Sequence, residues 1–222
     1  MAKGMSKERI VAAALDLLND KGMDALTVRA LAARLGVQAP ALYWHVRNKQ
    51  ELLDEMGTFV MRRVRDALAA IPPDAGWRDS LAGYGRALRA EYLSYRDGAR
   101  IFSGTRLADA DVLRAKETWL ARFMAAGFTL ADANDAFDVV TAIVVGFVIE
   151  EQERVQSDEA DPARYSAAER DALLGEGVEL VKAVDRLPDD HDTRFERHLG
   201  LVLDGLATRL LSPGRATEDC PP

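Results

Sequence analysis

Along the whole chain, apolar side chains recur every three or four positions, and no stretch alternates residue by residue as a half-buried strand does. Ala, Leu, Arg and Glu dominate the composition, and all four favour the helix. This spacing predicts an all-α fold. Ser6 is placed to cap a first helix whose inner face carries Ile10, Ala14, Leu17 and Leu18, and Gly22 stops it. Thr27 caps a second helix with Leu31 and Leu35 inward. Gly36 turns the chain, and Pro40 sits where a third helix begins. Asn48-Lys49-Gln50-Glu51 forms a capping box for a fourth helix that runs to about Ala70, before Pro72-Pro73. Further helices are expected at Trp77–Ser94, at about Asp109–Ala126, from Thr129 to about Val155, near Ala167–Ala183 and at His191–Leu211. Asp97-Gly98 reads as a turn, Gln156–Arg164 as a mobile loop and residues 212–222 as a disordered tail.

Charge divides the chain unevenly. The first 50 residues carry eight cations (Lys3, Lys7, Arg9, Lys21, Arg29, Arg34, Arg47, Lys49) against Glu8, Asp16, Asp20 and Asp24, a net of +4. The whole chain is at -7, so the remainder is at -11. A basic head on an acidic body suits a protein that touches phosphate with one end only. Cys220 is the single cysteine, so no intrachain disulfide forms, as in a reducing cytoplasm. No apolar signal core follows Met1–Ser6. The longest nearly apolar run, Val139–Ile149, has 11 residues, short of the roughly 20 that span a bilayer. A soluble, cytoplasmic protein is expected.

Two short helices joined by a tight turn at Gly36 describe a helix-turn-helix. In the second of them Leu42 and Val46 share an inward face, which sends Tyr43, Trp44 and His45 largely to the other side. Exposed aromatics suit a partner surface, such as a major groove with its thymine methyls and phosphates. The competing reading makes Tyr43 and Trp44 core residues of a small three-helix unit.

With these residues in view, the chain resembles the tetracycline-repressor (TetR) family and, within it, the class of the tetracycline-responsive members. The resemblance rests on Ala13-Ala14-Leu15-Asp16-Leu17-Leu18, Gly22, Leu31-Ala32, Leu35-Gly36-Val37, Leu42-Tyr43-Trp44-His45-Val46 and Asn48-Lys49. It continues through Tyr95-Arg96-Asp97-Gly98-Ala99, Gly104-Thr105-Arg106, Gly127-Phe128 and Glu150-Glu151-Gln152-Glu153. It implies a helix-turn-helix DNA-binding domain over residues 1–50, a linking helix at about 49–70 and a helical ligand-binding and dimerisation domain over 51–211. Thr27, Arg29, Gln38, Pro40, Tyr43, Trp44, His45 and Lys49 match the DNA-contact positions. Ala39 stands where tetracycline-responsive members place a glutamine and Gln38 where they place an acid, so the binding mode carries over but the operator sequence does not.

The same resemblance places the effector site in the body. The histidine that holds the drug's magnesium ion in tetracycline-responsive members falls at Phe102, and two further pocket histidines fall at Ala142 and Arg65. A pocket asparagine falls at Tyr84 and a glutamine at Trp119. The implied pocket has lost imidazoles and gained aromatic surface, which points to an apolar or aromatic effector acting without a metal or other cofactor. Its candidate lining is Arg65, Tyr84, Leu88, Phe102, Thr105, Arg106, Trp119, Phe123 and Glu150. Each could instead be plain core packing, above all Leu88, Phe102 and Phe123.

The apolar run Val139–Ile149 should be buried on every side, one face against the core and another against a second subunit. The last helix offers Leu199, Val202, Leu206 and Leu210 as one stripe, with Leu203 beside it. Together these helices could form a four-helix dimer interface, and a homodimer gives double-stranded operator DNA two reading heads; the competing reading makes both stripes the ordinary core of a monomer. Two other classes of function remain in view. An enzyme is disfavoured: the histidines are only His45, His191 and His198, and no phosphate loop, nucleophile elbow or metal-ligand spacing appears. A DNA-binding dimer with no small effector is the other alternative.

Overall fold

The computed structural model describes residues 5–210 apart from 73, 162, 185, 188 and 189. The tail expected at 212–222, with Cys220, lies outside the described residues, as do Pro73 and Leu211. Among the described residues there are eleven α-helices, one 3-10 turn and no strand.

The head is three helices stacked on the start of a fourth. α1 (Lys7–Lys21) begins where the Ser6 hydroxyl accepts the Arg9 N–H, and it buries Ile10, Ala14, Leu17 and Leu18. Ile10, Leu17 and Leu18 each contribute about 1.5–3 kcal/mol relative to exposure, and the Ala14 methyl less. A 3-10 turn, Met23–Ala25, leads into α2 (Val28–Leu35), capped by Thr27 Oγ1 accepting the Ala30 N–H at 3.1 Å. Gly36 sits at φ +68°, in the left-handed region, and lets the Val37 N–H reach the Ala32 carbonyl at 3.0 Å. α3 (Ala39–Leu42) is a single turn with Pro40 in its opening positions.

α4 (Lys49–Leu68) starts in the head and ends in the body. Asn48 Oδ1 accepts the Glu51 N–H at 2.9 Å, as a cap should. The reciprocal half of the box is shifted by one: Glu51 accepts the Arg47 N–H at 2.6 Å. Leu52, Met56, Val60, Val64 and Leu68, four apart, form its buried stripe. α5 (Trp77–Leu93) packs against α4 on one side and against α8 (Leu130–Ala160) on another. α6 (Gly98–Phe102) is wedged among α4, α5 and α8, while α7 (Ala110–Ala125) lies on α4 and α8. α9 (Ala167–Leu174) and α10 (Glu179–Val184) bury no residue, and α11 (His191–Leu210) returns against α5 and α8. One apolar core runs from Ile10 to Leu203 without a break between head and body.

The structure departs from expectation at five places. Residues 156–160, expected in a loop, are the last turns of α8, because Ser157 is buried and Gln156 Nε2 donates to Asp97 Oδ1 at 3.4 Å. The single helix expected at Ala167–Ala183 is two, broken by Gly175 and Gly177 at φ +66° and +82°. Asp97-Gly98 opens the unexpected helix α6. A side chain at Gly98 would put its Cβ 2.1 Å from the Tyr92 carbonyl oxygen. The run Val139–Ile149 is not covered all round within one chain: Val140, Val144, Phe147 and Val148 are buried, but Val139, Ala142 and Gly146 face out. The expected stripe of α11 divides too, with Phe195, Leu199 and Leu203 in the core and Val202 and Leu206 half-buried. Among the described residues no helix is long and apolar enough to cross a membrane.

Candidate functional site

Two groups of side chains stand out, one in the head and one where head meets body. In the head, Leu42 and Val46 are buried as anchors, and this turns the residues between them outward. Tyr43 is 50% exposed and Trp44 90%, so neither is a core residue of the three-helix unit. Thr27, Arg29, Gln38, Pro40 and Lys49 are exposed as well, and His45 is half-buried. The cations divide in two. Arg34 is held by Asp20 at 2.6 Å, Arg47 by Glu51 at 3.0 Å, and Lys7 by Glu55. Arg29 and Lys49 make no ion pair among the described residues. The head therefore presents two exposed aromatic rings and two unengaged cations, a surface able to lie on a polyanion through charge and on base edges through rings.

The second group surrounds the turn 95–98. Asp97 adopts a left-handed conformation at φ +57°. Its Oδ2 accepts the Met23 N–H of the head at 3.1 Å, and its Oδ1 accepts from Gln156 of α8. The next-door Arg96 N–H donates to Asn19 Oδ1 of α1 at 2.9 Å. Gln152 Nε2 donates to the Tyr95 carbonyl at 2.7 Å and the Tyr92 carbonyl at 3.3 Å. A single turn of chain thus hydrogen-bonds to the head on one side and to α8 on the other.

Phe102 lies directly behind it, buried, with its ring centroid 5.5 Å from that of Tyr95 and 6.1 Å from that of Tyr92. Burial pushes the Tyr92 phenol well above the ordinary tyrosine range. No imidazole is available to these rings, since the three histidines lie at the end of α3 and on α11. Among the described residues no group of three or more His, Cys, Asp or Glu side chains is placed to hold a metal ion.

The other expected effector residues are scattered. Tyr84 hydrogen-bonds Thr141 at 2.8 Å and stacks edge-on to Phe137. Phe123 and Leu88 are fully buried, and Phe123 packs against Trp77, Phe128 and Phe137. Thr105 donates to the Phe102 carbonyl and fills the space left by Gly57, where a Cβ would come within 2.1 Å of its hydroxyl. A cavity of about 260 Å³ opens beside it, lined by Met23, Leu26, Lys49, Arg100 and Thr105 among others, at the seam of head and body. Trp119 is half-buried under the Arg122 guanidinium, 4.7 Å away. Arg106 and Glu150 are exposed, and Arg65 is paired with its neighbour Asp66 at 2.7 Å. The structure joins Phe102 with Thr105, sets Tyr84 and Phe123 on a common neighbour, Phe137, and leaves Arg65 half-buried and Arg106 and Glu150 at the surface of the single chain.

Sequence reasoning singled out Glu150 where the inward carboxylate is Glu151. It takes Arg89 in a bidentate pair, 2.7 and 3.0 Å, while Arg89 also reaches Asp192 at 2.7 Å and lies 4.9 Å over Phe195. This knot ties α5, α8 and α11 together. The signal was present: Glu151 falls four after Phe147 and seven after Val144, on the buried stripe.

Comparison with known proteins agrees with this geometry. Residues 10–56 match the family described as bacterial regulatory proteins, tetR family, and residues 71–210 match the tetracyclin repressor-like C-terminal domain. The tetracycline repressor protein class A from transposon 1721 of Escherichia coli is 39% identical over 204 residues, 91% of this chain and 90% of that protein. Among solved structures, TetR (class A) in complex with 5a,6-anhydrotetracycline and magnesium superposes with a TM-score of 0.69 at 34% identity, over 90% of this chain and 96% of that one. BioQ with its double-stranded DNA operator gives a TM-score of 0.64 at 31% identity, over 92% and 99%. The chain belongs to the tetR family of bacterial regulatory proteins and is a transcriptional regulator rather than an enzyme.

Proposed function

We propose that the chain is a cytoplasmic repressor that binds a palindromic operator as a homodimer and is released by a small aromatic or apolar effector. The observation that carries the DNA reading is Trp44, 90% exposed beside Tyr43 behind the Gly36 turn. Thr27, Arg29, Gln38, Pro40, Tyr43, Trp44, His45 and Lys49 make the contacts, from a head of residues 1–50 on a body of residues 51–211. Half-sites lie about one helical turn apart, roughly 10 bp. The dimer face is the uncovered side of α8 and α11, where Val139 and Leu206 line one hollow of about 180 Å³. Its expected geometry is a four-helix interface across a two-fold axis.

The effector reading rests on the rings of Tyr92, Tyr95 and Phe102 lying against the turn that grips both Asn19 and Met23 of the head and Gln152 and Gln156 of α8. A ligand that parts these rings moves the turn, and the turn moves the head. A preference of about 1.4 kcal/mol for the non-binding state weakens operator affinity tenfold. With Phe102 at its centre the effector needs no divalent metal, whereas the class A relative was solved with 5a,6-anhydrotetracycline and magnesium. Of the other expected pocket residues, Thr105 supports Phe102, while Arg65, Tyr84, Leu88, Arg106, Trp119, Phe123 and Glu150 act only if the pocket extends along α4, α5, α7 and α8. The complete burial of Leu88 and Phe123 favours the second reading, a DNA-binding dimer without an effector.

The test is selection of bound duplexes from a random pool, followed by operator binding with candidate aromatic ligands, with and without a chelator. Release that is insensitive to chelator supports the reading, and chelator-sensitive release refutes the metal-free effector. A monomer in sedimentation, or a footprint of one half-site, refutes the dimer.

A further inference from the structure

One ion pair of the head lies between two residues expected to contact DNA. Arg47 falls two residues after His45 and two before Lys49, so its Cα lies within roughly 7 Å of each. Its side chain is 83% exposed, yet it is held. One oxygen of Glu51, Oε2, accepts both the Arg47 backbone N–H at 2.6 Å and the Arg47 Nε–H at 3.0 Å.

Glu51 is fixed in its turn. It sits in the first turn of α4, and its own N–H donates to Asn48 Oδ1 at 2.9 Å. The Arg47 N–H first, and the guanidinium after it, hold the Glu51 carboxyl below the ordinary glutamate range, so the pair is charged at neutral pH. The helix explains only half of this pair. The positive end of a helix favours a carboxylate and disfavours a cation, so Glu51 suits the start of α4 and Arg47 does not.

The other ion pairs of the head do a different job. Arg34 is only 34% exposed, and its partners, Asp16 and Asp20, lie on α1, so that pair joins two helices. Arg47 and Glu51 are four residues apart and join nothing distant. Arg29 and Lys49, by contrast, make no ion pair among the described residues. Cations free in this way bind any duplex alike, because contacts to phosphate carry no sequence information. A guanidinium kept on a carboxylate adds little of that kind, and a surface pair is weak enough for one substitution to release it.

We propose that Glu51 is a positioning residue that holds Arg47 off the phosphate backbone and so limits sequence-independent DNA binding. This rests on the DNA reading of the head.

The test is anisotropy titration of a random-sequence duplex with the full chain, between 50 and 200 mM salt. Glu51→Gln keeps an oxygen for the Arg47 N–H but drops the charge. It should bind more tightly than the parent at 50 mM salt and lose roughly threefold of that advantage by 200 mM, because one more phosphate contact adds about 0.9 to the salt slope. Adding Arg47→Gln to that variant should return the slope to the parent's. Arg47→Gln alone should leave the slope as it is, and at so exposed a side chain it should fold even if Glu51→Gln does not. A gain that survives in the double variant would mean that the carboxylate merely repels DNA, and would overturn the proposal. So would a slope already shallower by about 0.9 in Arg47→Gln alone, or binding by Glu51→Gln no tighter than the parent's. A parent that binds no duplex at 50 mM salt refutes the DNA reading itself, and the proposal with it.

Discussion

Head and body use aromatic residues in opposite ways. In the head, Tyr43 and Trp44 stand out in solvent between two fully buried anchors, Leu42 and Val46. In the body, Phe123 packs against Trp77, Phe128 and Phe137, and Phe102 against Tyr92 and Tyr95, all in the dry interior or at its edge. A ring that stands largely in solvent can be removed at little cost to the fold, so its effect on function is read cleanly. A ring inside the core holds up the fold and lines any ligand space at once, and the two roles separate only by measurement.

That contrast can be broken most forcefully in the body. Phe123→Ala should cost about 3–5 kcal/mol in denaturant unfolding, the usual range for a large buried aromatic. Glu151→Ala should cost less, about 1.5–3 kcal/mol, because it removes the bidentate partner of the Arg89 guanidinium, whose side chain is only 12% exposed, and leaves it Asp192 alone. If both unfold at the parent's midpoint, the body is looser than its packing indicates.

In the head the effect should move from stability to binding. Trp44→Ala and Tyr43→Ala should change stability by less than about 0.5 kcal/mol, the usual range for surface positions, while operator affinity falls. Melting temperature and operator titration on the same preparation decide it. A fall of several kcal/mol in stability would return Tyr43 to the core. Lys49→Ala should weaken binding evenly across operator sequences and lower the salt slope by about 1. The smallest effect is expected at the seam. Asn19→Ala removes the acceptor of the Arg96 N–H, which costs about 1 kcal/mol, and it should blunt the response of operator binding to effector more than it lowers affinity. An unaltered response would remove the turn at 95–98 from the signalling route.

Much of the helical plan was legible because it is local. Ser6, Thr27, Asn48 and Thr129 each accept the N–H three residues on, as their residue types lead one to expect. What stayed hidden depends on distant partners. The acidic stretch after Val155 has no helical signature of its own and continues α8 because Gln156 meets Asp97, 59 residues earlier. The outward rings of the head could be read from the four-residue spacing of Leu42 and Val46. The effector residues could not, since whether Arg65 or Glu150 turns inward is set by packing; the stripe that ends on Glu151 was the one local clue.

α8 has 31 residues, a rod of roughly 46 Å at 1.5 Å per residue. Along it, Val140, Val144, Phe147, Glu151, Gln152 and Gln156 all engage partners within the chain. Inserting one residue near position 150 would rotate everything beyond it by about 100°. Glu151 would swing away from Arg89, Gln152 from Tyr95 and Gln156 from Asp97, all in one event. Such a helix keeps phase as a screw thread does: it tolerates exchange of one residue for another far better than a change in their number. Changes of length belong instead to the segment after Ala160 and to the breaks at Gly175 and Gly177, where no phase has to be kept.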